Sequence, residues 1–450
     1  MIELRDKRIV VVGLGVSGFA AARALRSLGA RVTVSESSDD PSTRDRAAML
    51  RSDDVAVEVG GHDLDALSGF DLAVVSPGIP PTAPVIERLR SLGIETIGEV
   101  ELAFGLASCD FLAVTGTNGK TTTTSLLAAM LAEGGIKSVA AGNIGLALVD
   151  AVGELGPGGA IALEVSSFQL EATRSFRPKV AVLLNVAEDH TDWHSTFVEY
   201  ARAKARITAN QSADDVFVYN MDDPVCVEVS DSTRARTVPF SAEWVPPEGI
   251  GSDGMQIVYR GVPLVAAADL PLPGRAGVED VCAAAAAALA YGVETRAVVR
   301  AIKGFRPLPH RLAMVAEFDG VSYIDDSKAT NPHATLTAVR DLNDVVLIAG
   351  GRSKGIDLTA LRRTVPPVRA VVAIGEAAAE IESVFEGAVE VVRVTSMEDA
   401  VRAARERSVP GGSVLLSPGC ASLDMFESYA ARGEAFVRAV HSIIEEQGEN

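Results

Sequence analysis

The chain has 450 residues, 48% of them hydrophobic, which is more than one ordinary core can use and points to two or three folded domains. A formal net charge of −19 argues against nucleic-acid and anionic-membrane partners, both of which call for a basic face. The four cysteines, Cys109, Cys226, Cys282 and Cys420, are widely spaced and form no Cys-x-x-Cys pair, so neither a zinc cluster nor a disulfide framework is expected.

The N-terminal residues MIELRDKRIVVVG pass from charges straight into a short apolar strand without a signal-peptide core. No run of about 18 apolar residues occurs, so a soluble, cytoplasmic protein is expected. Residues 8 to 34 alternate as strand, glycine turn, helix and strand, which opens a parallel sheet with crossover helices. The turn, Gly13-Leu14-Gly15-Val16-Ser17-Gly18, matches a dinucleotide fingerprint, with Glu36 at the end of the next strand. It fits a diphosphate-bearing ligand better than it fits NAD, and its bland alternative is a tight strand-to-helix turn. A further strand at 71 to 78 ends in SPGIP, a second glycine turn able to complete that pocket. The first domain is expected to span residues 1–98.

The most informative string follows at 115 to 123, TGTNGKTTT, directly after the apolar segment FLAV. A strand-to-turn-to-helix junction aims bare amide N–H groups and the positive end of a helix at one spot, which suits a phosphate chain. Lys120 would place its ammonium between the outer phosphates, and the Thr121 hydroxyl would hold a bridging magnesium ion. Gly116 and Gly119 are two residues apart rather than four, so this is a shorter phosphate loop than the usual one. Strands are expected at AIALEVSS and VAVLLNV, apolar throughout as a sheet covered on both faces requires. Glu164 inside the first of these reads as a magnesium ligand across from the loop, with a buried salt-bridged carboxylate as the alternative. After the second comes AEDHTDWH, which gathers Glu188, Asp189, His190, Asp192 and His194. His190 is assigned a site role, and His194 is left open, because surface histidines in an acidic loop also account for that spacing. Lys204 lies seven residues beyond Phe197, on the same helical face. A lysine on an apolar stripe ordinarily snorkels to water; the alternative is a partly buried amine of depressed pKa, open to covalent modification. The stretch CAAAAAALAYG reads as a tightly packed helix. This central domain is expected over 99–306.

Pro307 and Pro309 mark a linker, after which strands recur at VSYIDD, VVLIAGG, AVVAIG, VEVVRV and SVLLSPG, giving a third α/β domain over 307–450. Ligands of such sheets gather beyond the carboxyl ends of the strands. DDSKATN, the Gly-Gly turn leading to Lys354, and SPGCASLDMFESY all sit at strand ends, where lysines among hydroxyls suit a dicarboxylate or a phosphate. The fold class is therefore α/β, with three domains that are each a mainly parallel sheet with crossover helices.

Together TGTNGKTTT, EVSSFQLE, LNVAEDHTDWH with YARAKAR, LPHR and DDSKATN resemble the Mur ligases, the ATP-dependent amide ligases of peptidoglycan precursor synthesis, over essentially the whole chain. GLGVSG with SPGIP, and GGRSKGID with SPGCASLDMF, resemble the branch that adds D-glutamate to UDP-N-acetylmuramoyl-L-alanine. The resemblance implies a monomeric enzyme whose domains bind the UDP-sugar, ATP and the amino acid in turn. It implies Val16, Ser17, Ser76, Gly78 and Asn143 at the UDP-sugar, and Gly116, Thr117, Asn118, Gly119, Lys120, Thr121 and Thr122 with Arg311 and Asp326 at ATP. One magnesium would take Thr121 and Glu164, and a second would take His190 and a carbamylated Lys204. Lys120, Glu164, His190 and Lys204 are thus the expected catalytic residues. D-glutamate would meet Lys328, Thr330, Lys354, Ser422, Leu423 and Tyr429. After LPG the family carries a His-Asn pair that helps seat adenine, whereas this chain has Ala276 and Gly277, so its adenine contacts are expected to differ. An NAD-dependent oxidoreductase, a folylpolyglutamate synthetase-like ligase and a non-catalytic binding protein are the alternatives, and turnover of ATP with a UDP-sugar substrate separates them.

Overall fold

The computed structural model describes residues 3–448 other than 190–192, 195, 273, 307, 341 and 354. The chain divides into two compact units, one of Met1–Val186, Val198–Ala268 and Asp280–Lys303, the other of Ala187–Phe197, Asp269–Glu279 and Gly304–Asn450.

The first unit holds two sheets. Strands β1 (Arg8–Val12), β2 (Arg31–Glu36), β3 (Ala56–Val59), β4 (Leu72–Val75) and β5 (Glu95–Gly98) form a parallel sheet in the order β3-β2-β1-β4-β5. Ile9, Val10, Val11 and Val12 are fully buried, as a strand covered on both faces requires. The second sheet comprises β6 (Asp110–Thr115), β7 (Ser138–Gly142), β8 (Ala160–Glu164), β9 (Val180–Leu183), β10 (Val216–Asn220), β11 (Arg236–Ser241), β12 (Ile250–Ser252), β13 (Gln256–Tyr259) and β14 (Val262–Ala266). Its order is β14-β13-β12-β11-β10-β9-β6-β8-β7, parallel except for the antiparallel ribbon β12-β13-β14. The strands expected from FLAV, AIALE and VAVLL are thus β6, β8 and β9, and they lie side by side.

One apolar core runs through both sheets, from Val11, Leu25 and Val34 to Phe111, Leu163 and Phe176. The helix Glu99–Leu106 sits within it: Phe104, Phe111 and Phe176 pack with ring centroids 5.6 to 5.9 Å apart. Glu101 of that helix accepts the backbone N–H groups of Arg174, Ser175 and Phe176 and the Ser175 hydroxyl. Burial works against its charge, and these hydrogen bonds outweigh it, holding the carboxyl below the ordinary range.

The second unit holds β15 (Ala313–Phe318), β16 (Val321–Asp325), β17 (Val345–Gly350), β18 (Val368–Ile374), β19 (Glu390–Val394) and β20 (Ser413–Leu416), in the order β15-β16-β20-β17-β18-β19. Only β15 is antiparallel. Separate apolar clusters cover the two faces, one around Tyr323, Val372 and Phe436, the other around Leu347, Leu361 and Phe385. Because β20 lies between β16 and β17, the carboxyl ends of these three strands converge. Among the described residues no helix is long and apolar enough to cross a membrane.

Candidate active site

In the first unit the phosphate loop springs from β6, the middle of a run of buried strands, and Val114 is paired with Glu164 of β8. Sheet register alone therefore brings the loop and the expected metal ligand to one edge. The helix Lys120–Glu133 begins at Gly119, which has φ +87° and supplies no side-chain cap, leaving the first-turn N–H groups pointing out of the helix end. Gly119 must be glycine twice over: the left-handed backbone disfavours a side chain, and a Cβ would lie 2.4 Å from Asp280 Oδ1.

Asn185, which ends the segment VAVLLN, clamps the loop. Its backbone carbonyl accepts the Thr117 N–H (2.9 Å), its Oδ1 accepts the Asn118 N–H (2.9 Å), and its Nδ2 donates to the Asn118 carbonyl (3.3 Å). Thr117 Oγ1 pairs with the Tyr200 hydroxyl at 3.1 Å, and Thr123 Oγ1 donates to Asp280 Oδ1 at 3.1 Å. Thr122 turns inward, fully buried, so its part in holding a ligand falls to the backbone. Asn185 is missing from the residues expected from sequence, although its place at a strand end is a signal for it; nothing in RAGVED marks Asp280 as a neighbour of Gly119.

Lys120 Nζ donates to the carbonyls of Gly116 and Thr117, both at 2.8 Å. Lys204 Nζ reaches the same Gly116 carbonyl at 2.7 Å. Two ammonium groups on one oxygen make a locally cationic site in an acidic protein, and an anion is what such a site accommodates. Lys204 corrects one expectation. It is 2% exposed and does not snorkel to water, whereas Phe197, seven residues before it, is 38% exposed at the start of the helix. Phe197 is the first residue of the helix Phe197–Ala205, whose inward side carries Tyr200, Ala203 and Lys204. Lys204 Nζ lies 4.5 Å from the centre of the Tyr200 ring.

Glu164 is 2% exposed. Oε1 accepts Asn143 Nδ2 at 3.0 Å, and Oε2 is buried with no hydrogen-bond partner among the described residues. The salt-bridged alternative is thereby set aside. A buried carboxylate oxygen left unpartnered is costly unless something binds it, and a hard cation with oxygen ligands fits that donor. His190 and Asp192 lie outside the described residues. His194 is 3% exposed, which rules out the reading of it as a surface histidine, and in the second unit Asn331 Nδ2 donates to Asp189 at 3.0 Å.

At the first glycine turn Ser76 and Gly13 are in contact, a Cβ on Gly13 falling 2.8 Å from Ser76 Cβ, while Val16 is 66% exposed beside it. Glu36 accepts the Leu14 N–H at 2.5 Å and the Ser38 N–H at 2.7 Å. Burial opposes its charge and these hydrogen bonds prevail, so its pKa is lowered. A carboxylate engaged in this way is not the open ribose acceptor that the NAD reading required. Asn143 is joined to Glu164 rather than to this turn.

In the second unit the residues expected at the amino acid follow the converging strands in sequence. Lys328 Nζ sits 5.1 Å from the centre of the Tyr429 ring, Ser422 is buried, and Leu423 is 60% exposed. Lys354 lies outside the described residues. Arg311 stands between His310 (φ +62°) and Leu312 (φ +45°), two non-glycine residues in the left-handed region, a strained arrangement that fixes the backbone on either side of the arginine. A Cβ on Gly277 would lie 2.5 Å from the Leu272 carbonyl oxygen, so the asparagine of the family pattern has no room there.

Asp326 is buried and accepts Ser417 Oγ at 2.8 Å and the Leu312 N–H at 3.3 Å. Burial raises its pKa from 3.8 to about 7, against the opposing pull of the Ser417 hydrogen bond and the Arg311 charge. The folded protein thus keeps a proton that the unfolded chain has already lost. Stability from this group is complete below pH 4, falls as the pH rises toward about 7, and is level above, a change on the order of 4 kcal/mol. Chemical denaturation at pH 5 and pH 8 should show the greater part of that loss, roughly 2–3 kcal/mol, and Asp326→Asn should flatten it. An equal slope in both proteins would refute the assignment.

Three family models match the chain: Mur ligase MurD-like, N-terminal domain over residues 7–98, Mur ligase middle domain over 114–288, and Mur ligase, glutamate ligase domain over 310–420. Curated relatives include two proteins named UDP-N-acetylmuramoylalanine--D-glutamate ligase. The one from Frankia casuarinae is 44% identical, covering 96% of this chain and 94% of its own, and the one from Caldanaerobacter subterraneus is 38% identical, covering 98% and 99%. Among solved structures, the UDP-N-acetylmuramate-alanine ligase of Thermotoga maritima shares the fold, with TM-score 0.60 at 19% identity over 97% of this chain and 99% of that one.

Proposed function

The chain belongs to the Mur ligase family, and on that premise we propose that it joins D-glutamate to UDP-N-acetylmuramoyl-L-alanine using ATP, in cytoplasmic peptidoglycan precursor synthesis. The substrate's terminal carboxylate attacks the γ-phosphorus of ATP, the bond to the bridging oxygen breaks, and ADP leaves. The amine of D-glutamate then adds to the acyl phosphate carbonyl, and the tetrahedral intermediate expels phosphate as the amide forms and the amine gives up its proton.

The observation that carries this reading is the phosphate loop. It offers a helix N-terminus whose N-cap, Gly119, brings no side chain, Lys120 within reach of the loop's own carbonyls, and an unpartnered buried carboxylate on the adjacent strand. Lys120 would leave the Gly116 and Thr117 carbonyls for the phosphate oxygens, offsetting charge as it develops. Gly116, Thr117, Asn118, Gly119, Thr121 and Thr122 would cradle the triphosphate, and Arg311 and Asp326 would meet the same nucleotide. Thr121 and Glu164 are the oxygen donors for magnesium, which when bound offsets the negative charge of the phosphates. A second ion at His190 and a carboxylated Lys204 is the finer form of the proposal. Its support is the crowding of two ammonium groups on Gly116, which carboxylation of one of them would relieve. Residues 1–98, with Val16, Ser17, Ser76 and Gly78, and Asn143 beyond them, would take the UDP-sugar. Residues 99–306 would take ATP. Residues 307–450, with Lys328, Thr330, Lys354, Ser422, Leu423 and Tyr429, would take D-glutamate, and a monomer suffices for this division of labour.

The test is ATP-dependent phosphate release with UDP-N-acetylmuramoyl-L-alanine and D-glutamate, L-glutamate or no amino acid. Release that requires both substrates and prefers the D-isomer is expected. Release indifferent to the amino acid would sink the ligase reading.

A further inference from the structure

The helix Tyr429–Gly448 places one arginine at the meeting point of three loops in the second unit. Arg432 is 2% exposed. Its Nε donates to Ser327 Oγ at 3.0 Å and its Nη2 to the Ser327 carbonyl at 2.8 Å. Its Nη1 donates to the carbonyls of Cys420 at 3.1 Å and Gly350 at 3.4 Å. Ser327 Oγ in turn donates to the Tyr429 carbonyl at 2.8 Å, closing the network onto the arginine's own helix. The acceptors lie in the loops that follow β16 and β20 and at the last residue of β17, and the segments beyond these three strands carry residues assigned above to D-glutamate: Lys328 and Thr330, then Lys354, then Ser422 and Leu423.

A guanidinium is the one side chain whose planar fork can satisfy three backbone segments at once, since its five N–H donors point in fixed directions. Burying it is costly, and among the described residues no carboxylate forms an ion pair with it to offset that cost. Burial lowers its pKa to about 10, which still leaves it a cation at neutral pH. Two backbone exchanges reinforce the junction: Arg352 and Ala421 trade N–H and carbonyl at 2.9 and 3.0 Å, and the Gly350 N–H reaches the Pro418 carbonyl at 2.9 Å. A Cβ on Gly351 would come within 3.2 Å of Nη1.

We propose that Arg432 is the positioning residue of the amino-acid site, fixing the mutual spacing of the three strand-end loops so that Lys328 and Ser422 face one substrate together. Arg432 acts through these loops and does not itself touch D-glutamate. The inference rests on the D-glutamate assignment of that pocket. Arg432→Lys keeps the charge and loses the fork, and it should raise the KM for D-glutamate about tenfold or more, since displacements near 1 Å cost of that order or beyond. KM for ATP and for the UDP-sugar should hold at the wild-type values. Ser327→Ala removes a single branch of the network and should shift the KM for D-glutamate in the same direction by less, so the test survives if Arg432→Lys fails to fold. Lys328→Ala and Ser422→Ala are measured alongside. If those two raise the D-glutamate KM and neither Arg432→Lys nor Ser327→Ala does, the positioning role is overturned and the pocket stands. If all four leave it unchanged, the pocket assignment falls as well. A loss of melting temperature with all three KM values moving in parallel would make Arg432 merely structural.

Discussion

Replacing Lys120 by alanine is expected to lower the rate of ATP-dependent phosphate release by roughly 10²- to 10³-fold or more, in line with the loss of a preorganised charge-stabilising donor. The ammonium already lies against the loop at 2.8 Å from two of its carbonyls, so it is placed before the nucleotide arrives. Gly116 and Thr117 are themselves buried, so the melting temperature of the variant is measured alongside, to separate loss of the ammonium from loss of the loop. Single-turnover phosphate release with saturating substrates is the deciding measurement. Turnover at the wild-type rate would remove the loop from the chemistry altogether.

Glu164→Gln should separate catalysis from stability. The carboxylate is buried with Oε2 unpartnered, an arrangement that is unfavourable in the ligand-free fold. A neutral amide of the same size should leave the unfolding midpoint unchanged or raise it, while turnover falls by about 10²- to 10³-fold as the ion loses an anionic ligand. Magnesium with ADP should raise the melting temperature of the wild type and not that of the variant, because only the former gains a bound ion in the folded state. A variant that is clearly less stable would show instead that Glu164 holds the sheet together.

The strands at the centre of each sheet were readable, though not their order, because buried parallel strands are nearly continuous apolar runs, as in RIVVV and FLAV. The sequence was less informative at the edges. Strands β12, β13 and β14 of the antiparallel ribbon are short, and β14 and β15 are partly exposed, with sequences such as AMVAEF that alternate weakly. At the site, TGTNGKTTT and Glu164 were legible because closely spaced glycines before a lysine suit a phosphate, and a lone carboxylate in an apolar strand demands a partner. Lys204 was not, since its burial depends on a contact with Gly116, 88 positions away. Phe197 lines up with Lys204 as periodicity says, but it stands at the exposed start of the helix, and periodicity does not say how far along a face the cover extends. Arg432 looks like any surface arginine in SYAARGEAF, and only convergence of three loops distinguishes it.

The discontinuous first unit bears on how the chain is made. Its last segment, Asp280–Lys303, contains Ala283 to Ala288, all fully buried, so that unit has no complete interior until residue 303 of 450 has emerged from the ribosome. At about 5–20 residues per second this leaves the unit incomplete for several seconds after apolar strands such as β6 and β9 have been made. The segment Ala187–Phe197, which belongs to the second unit, must wait longer still, until the strands beyond residue 304 are made. Slow translation through 280–303 would therefore lengthen the interval in which chaperones have a nascent hydrophobic surface to bind.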